Sequence, residues 1–256
     1  MASGIVDARV LVVMLSRLLA VAVLAPALLA QSSVSASRTW EIPALAYGPS
    51  MWSIVRVTNR AATPRSLRLE VYRENGDLLP IAGALDLAPR EMREIRIDSP
   101  AGEEESCWAK VMELSDDAAV EVEASVEILK GNAIESFPRR AKDPSANDVW
   151  VTRATDVEGK QVYFLNVFDR PTTLEFCATN RKEQRTCQAQ GRIAAARFRV
   201  KPNQAIAVQV KKLRQRYFIA ESTVPGRAIL LLFTDGPGSK RVFSSESSVE
   251  FDAPGR

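Results

Sequence analysis

Histidine is absent from the 256-residue chain. That absence removes imidazole-based general acid–base work, catalytic triads that contain histidine, and most zinc sites. Cysteine is scarce: Cys107, Cys177 and Cys187 are too few, without histidine, for the usual four-ligand zinc site. No G-x-S-x-G, S-x-x-K or Walker-type loop occurs either. Gly236-Pro237-Gly238-Ser239-Lys240 has loop glycines and a lysine. Pro237 carries no N–H, however, and the spacing is wrong for a phosphate cradle, so the stretch reads as a hairpin turn. Asp116-Asp117 reads as a solvated turn, not as two acids set across a sugar. No catalytic, cofactor-binding or metal-ligating residue is assigned, and the chain is read as a non-enzyme without a cofactor.

The remaining composition is that of a globular protein, with 46% apolar and 25% charged residues. Residues 1–30 read as an export signal: Val10–Val13 and Leu18–Leu29 are apolar, Arg9 and Arg17 supply positive charge, and Ala25-Pro26-Ala27, Leu28-Leu29-Ala30 and Val34-Ser35-Ala36 offer small-residue cleavage sites. A retained N-terminal anchor is the competing reading. No later stretch is long and apolar enough for a spanning helix. The expected location is the periplasm or the cell surface. In an oxidising compartment Cys177 and Cys187, which flank ATNRKEQRT, are expected to form a disulfide across a hairpin. Cys107, beside Trp108, is read as a small buried apolar residue.

From Trp40 onward the pattern is strand after strand. Ser53–Thr58, Ser66–Tyr72, Met92–Ile97, Trp108–Leu114 and Ala119–Leu129 alternate or run apolar, with turns at Asn75-Gly76, Pro89-Arg90 and Asp116-Asp117. In AVEVEASVEI, Val120, Val122, Ala124, Val126 and Ile128 share one face, and Glu121, Glu123, Ser125 and Glu127 the other. PRRAKDPSAND (138–148) reads as a linker. Strands then resume at Val149–Thr152, Gln161–Val167, Thr173–Ala178, Arg197–Val200, Ala205–Val210, Tyr217–Glu221, Ala228–Thr234 and Arg241–Ser244. The halves also match each other: Asn59-Arg60 aligns with Asp169-Arg170, Leu67/Leu69 with Leu174/Phe176, and Leu87-Ala88-Pro89 with Val200-Lys201-Pro202. The expected fold is therefore all-β, two tandem antiparallel immunoglobulin-like sandwiches over residues 38–137 and 149–253.

Charge is unevenly spread. Between Ala101 and Phe137 there are ten acids against Lys110 and Lys130, and between Arg181 and Arg216 eleven bases against Glu183. Glu121, Glu123 and Glu127 form a candidate acidic face. Arg197, Arg199, Lys201, Lys211, Lys212, Arg214 and Arg216 form a candidate basic stripe. Such faces suit a protein partner, an acidic envelope polymer, or docking of one copy on another. The plainer reading is charge that protects exposed strand edges. Nucleic acid is a poor candidate for an exported chain whose bases are not interleaved with aromatics.

IPALAYGPSMWSIVRVTNRAATPRSLRLEVYRENGD (42–77), LAPREMREIRI (87–97) and WAKVMELSDDAAVEVEASVEI (108–128) resemble a loosely defined group of exported bacterial β-sandwich proteins. That resemblance implies a non-catalytic surface or periplasmic module and transfers no ligand residues. The same segments also resemble the first domain of periplasmic pilus chaperones. This second resemblance implies a basic cleft for a subunit's carboxylate and an apolar donor strand. Ala119–Leu129 departs from it, because its exposed face carries glutamates.

Overall fold

The structure is a computed structural model that describes residues 38–81, 83–98, 102–113, 119–142, 149–180, 187, 196–211, 213–222 and 228–233. The expected export segment, the Asp116-Asp117 turn, the 236–240 turn and the Arg241–Ser244 strand lie outside the described residues.

The first half contains β1 (Arg38–Tyr47), β2 (Met51–Asn59), β3 (Arg65–Arg73), β4 (Gly83–Leu87), β5 (Met92–Ile97), β6 (Glu105–Glu113), β7 (Val120–Lys130) and β8 (Ala133–Arg139). The second contains β9 (Val149–Arg153), the four-residue α1 (Ala154–Val157), β10 (Gln161–Asn166), β11 (Thr172–Thr179), β12 (Ala196–Val200), β13 (Ala205–Gln209), β14 (Tyr217–Ser222) and β15 (Ala228–Phe233). Alternation explains most of them. In β3, Leu67, Leu69 and Val71 are buried while Ser66 and Arg68 face solvent. In β7 the even-numbered residues Val120, Ala124 and Val126 are buried, and Glu121 and Glu123 are exposed.

Every pairing is antiparallel, and the two halves repeat one strand order. The first half pairs β1-β6-β3-β4 and β5-β2-β7-β8; the second pairs β9-β14-β11-β12 and β13-β10-β15. Residues from both sheets of the first half meet in one buried cluster, so the sheets form a sandwich. The second half does the same around Trp150, Phe164, Phe176 and Phe218. The strand order is not the immunoglobulin one, in which the first strand lies beside the second and the seventh beside the sixth. Here β1 lies beside β6 and β7 beside β2. The corner between β1 and β2, closed by Gly48 N–H to the Met51 carbonyl at 2.9 Å, passes the chain straight to the opposite sheet.

The repeat extends to the turns. Arg90 and Asn203 both follow a proline and both have positive φ, 63° and 57°, as the third position of a type II turn requires. Ala88 N–H donates to the Glu91 carboxylate at 2.7 Å, and Lys201 N–H to the Gln204 side-chain oxygen at 2.8 Å. Asn59 corresponds to Asn166, not to Asp169, which shifts the alignment read from sequence by three positions. Each of these buried asparagines ends its strand and donates to the carbonyl four residues on, Thr63 or Arg170. Each also donates to the proline-turn carbonyl, Ala88 or Lys201.

Three strands were not expected from the sequence. β1 is buried at nearly every position, which hides its period, and a bulge between Ile42 and Leu45 breaks its register. β4 is short and mostly exposed. β8 contains Pro138, which argues against a strand except at an edge, and an edge is where it lies. β8 runs to Arg139, and Lys142 N–H bonds the Glu41 carbonyl at 2.8 Å. The first residues of the segment read as a linker are therefore paired structure, while residues 143–148 lie outside the described residues.

The halves share a third buried cluster. Ala44, Tyr72 and Trp108 of the first pack with Tyr163, Leu165, Val167, Ala205, Ile229, Leu231 and Phe233 of the second. β10 and β15 are consequently buried on both faces: Phe164 and Leu230 point into their own sandwich, Tyr163 and Leu231 into the seam. Tyr72 stacks on Trp108 with centroids 4.6 Å apart. The Trp108 indole N–H donates to the Asn203 carbonyl at 2.9 Å, and the Ala205 N–H to the Glu74 carbonyl at 2.9 Å. Ala44 sits in the β1 bulge with φ of 57°, and Arg139 donates to its carbonyl at 2.8 Å while lying over the Phe233 ring. Gly76, with φ of 92°, brings its turn so close that a Cβ there would meet the Pro202 carbonyl oxygen at 2.7 Å.

Candidate functional site

The acids singled out from the sequence do share one face, and they are already paired on it. β2 lies between β5 and β7, which sets Arg56 opposite both Glu94 and Glu123. Arg56 bonds Glu94 at 2.8 Å and approaches Glu123 at 3.8 Å. Arg60 bonds Glu121 through two nitrogens at 2.9 and 2.7 Å, and that carboxylate raises the guanidinium pKa above its ordinary value. Glu127 accepts the Trp52 indole N–H at 2.8 Å, and Arg96 lies 4.2 Å from the centre of the same ring. The face is a ladder of alternating charge, not a field of one sign.

The basic residues fall into separate groups. Arg197 and Arg199 stand exposed on the edge strand β12, with Lys201 in the turn after it. Arg197 bonds the Glu175 carboxylate at 2.5 Å. Lys211, Arg214 and Arg216 are exposed in the connection from β13 to β14, and Lys212 lies outside the described residues. Val200 pairs with Thr172 at one end of β11, and Tyr217 pairs with Thr179 at the other. Lys201 and Arg216 are therefore separated by the length of β11, roughly 20 Å or more.

Cys177 and Cys187 form a disulfide, with Cα atoms 5.6 Å apart. They are not facing hairpin residues as the sequence suggested, because β12 begins only at Ala196. Cys187 instead lies on the outer face of the β9-β14-β11-β12 sheet with Val149, Val151 and Ile219. Its N–H donates to the Glu221 carboxylate at 2.7 Å. Cys107 is a buried free thiol whose pKa burial pushes far up, with Glu105 adding to the effect.

A groove of about 780 Å³ lies on the first half. Its walls come from β1 (Arg38, Trp40), β2 (Ile54, Arg56), β7 (Val122 to Ser125, and Glu127), and the end of β8 with the chain beyond it (Ser136, Pro138 to Ala141). The groove exists because β8 pairs with β7 only from Ala124 to Lys130, after which the chain crosses toward β1 at Lys142. Sequence patterning did not identify Arg38, Trp40 or Arg140 as site residues. Arg140 was hidden in an apparent linker, and Arg38 precedes a strand without visible period. Among the described residues, no group of histidine, cysteine, aspartate and glutamate is arranged to hold a metal ion.

No protein-family model, no curated protein and no solved structure matches the chain.

Proposed function

We propose that this chain is an exported binding or assembly module that works through the surfaces of its sandwiches and leaves its partner chemically unchanged. The groove between β1, β7 and the end of β8 carries this reading. It is polar and open, and both of its carboxylates have neighbours: Glu127 accepts the Trp52 indole N–H, and Glu123 lies 3.8 Å from Arg56. Carboxylates that sit beside a guanidinium and an indole N–H suit a recognition surface better than proton transfer. Export is supported by the character of residues 1–30 and by the disulfide; no described helix is long and apolar enough to cross a membrane.

The test is to incubate the mature chain, starting near Gln31, with a cell-envelope extract. Complex formation is followed by light scattering, and both partners are weighed by mass spectrometry. A saturable complex with unchanged masses is expected. A covalent change in the partner, or no complex with any envelope component, would overturn the reading.

A further inference from the structure

The backbone at the groove has a direction. The Ala119 carbonyl accepts from Arg60 N–H at 2.7 Å, and Leu129 N–H donates to the Ser50 carbonyl at 2.7 Å. Both bonds point toward β2 and its flanking turns. Neighbouring residues of a strand present their N–H and C=O groups to opposite sides, so the odd-numbered residues of β7 face β2 and the even-numbered ones face away. From Ala124 onward the even residues are met by β8, opposite Arg139, Phe137 and Glu135. Val120 and Val122 lie beyond the end of β8 and pair with β2 alone among the described residues. Val122 lines the groove.

The neighbouring edge is closed to the same use. In β8 the register turns Arg139, Phe137 and Glu135 toward β7, which leaves Pro138 facing outward with no N–H to offer. An added strand is therefore blocked along β8 and admitted on β7 at Val122. Val120 is buried in the first core, whereas the half-buried Val122 lines the groove, so it is at Val122 that β7 offers a backbone edge.

Charge selects the occupant. Glu127 is bonded to Trp52 and the exposed Glu123 stands 3.8 Å from Arg56, whereas Arg38 and Arg140 are exposed and make no ion pair among the described residues. Arg38 rests over the Trp40 ring at 4.8 Å, and Trp40, Val122 and Ala141 supply apolar wall. Accordingly, we propose that the groove binds an extended acidic peptide segment of a partner protein. The segment pairs as a short added strand at Val122, turning alternate apolar residues to the wall and carboxylates to Arg38 and Arg140. This rests on the binding reading above and specifies its site and partner class.

The probe is a labelled decapeptide of alternating valine and glutamate, titrated by fluorescence anisotropy against the mature chain. The same peptide with glutamine for glutamate and a uronic-acid oligosaccharide serve as controls. Saturable binding of the acidic peptide is expected, about tenfold weaker for the glutamine version. Val122→Pro removes the outward N–H along with the valine side chain, and relative to Val122→Ala, which removes the side chain alone, it should weaken binding at least tenfold with unchanged circular dichroism. Arg38→Glu with Arg140→Glu, both exposed, should do the same if the proline variant folds poorly. Val122→Pro binding like wild type while folded would overturn the strand-pairing proposal. So would equal binding of the oligosaccharide that is insensitive to Val122→Pro. No binding of the acidic peptide would also overturn it, and an envelope complex formed in the earlier test would then still stand.

Discussion

The indole N–H of Trp108 donates to the main-chain carbonyl of Asn203 at 2.9 Å, tying a strand of the first sandwich to a proline turn of the second. Trp108 is fully buried at this point and stacked on Tyr72. The seam therefore joins the halves through packing and directed hydrogen bonds together.

The two halves should unfold in one transition. Urea unfolding followed by tryptophan fluorescence and by circular dichroism is expected to give coincident midpoints. Trp108→Ala should cost about 3–5 kcal/mol and separate the two curves. Trp108→Phe, which keeps most of the packing but orphans the Asn203 carbonyl, should cost about 1–3 kcal/mol. Coincident midpoints in Trp108→Ala would show that the seam does not couple the halves.

Asn59 and Asn166 should be interchangeable in their energetics. Each side-chain oxygen accepts an N–H two residues on, from Ala61 or Phe168, and each amide donates to two turn carbonyls. Substitution by alanine leaves buried backbone groups unpaired, so each variant should lose about 2–3 kcal/mol in denaturant unfolding. A loss below about 0.5 kcal/mol at either site would contradict the repeated role.

The disulfide and the free thiol should behave oppositely. Cys177→Ser with Cys187→Ser should cost about 2–3 kcal/mol, as expected for opening a short loop. Cys107 should resist alkylation in the native protein, because burial holds its thiol protonated well above its ordinary pKa. Mass spectrometry after iodoacetamide treatment should find Cys107 modified only under unfolding conditions.

Alkaline pH should destabilise the fold. Burial, then the Glu105 and Glu70 carboxylates bonded to their hydroxyls, push Tyr47 and Tyr72 well above the ordinary value of 10. Burial does the same to Tyr163, partly opposed by the nearby backbone of Ala44. With raised folded-state pKa values, this stability is fully present below pH 10 and lost progressively above it, because only the unfolded chain ionises easily there. Phenolate absorbance from these three residues should rise together with unfolding. Ionisation while the circular dichroism stays native would refute the assignment.

Salt should leave the mass of the chain in solution unchanged. Glu121, Glu123 and Glu127 already have partners on their own face, and the bases of the second half stand in separate groups. Light scattering at low and high ionic strength should therefore report the same species. A multimer that dissociates as salt rises would show that acidic-to-basic docking between copies operates after all.

Patterning alone determined the all-β class, the disulfide partners and most of the strands, because a half-buried strand must alternate and a turn must use residues that tolerate its dihedrals. β7 was legible residue by residue for that reason. β1 was not, since burial on both faces erases alternation, and β8 was obscured by Pro138, whose tolerance depends on which side of the strand has no neighbour. The continuous apolar run Ala228–Phe233 was visible, but only the fold shows that it serves two cores at once. Strand order likewise lay beyond the sequence, because a strand's pattern records which face is buried and not which neighbour lies beside it. The groove was decided last of all. It follows from where β8 stops and the chain crosses to β1, a relation between backbones that no side-chain pattern encodes.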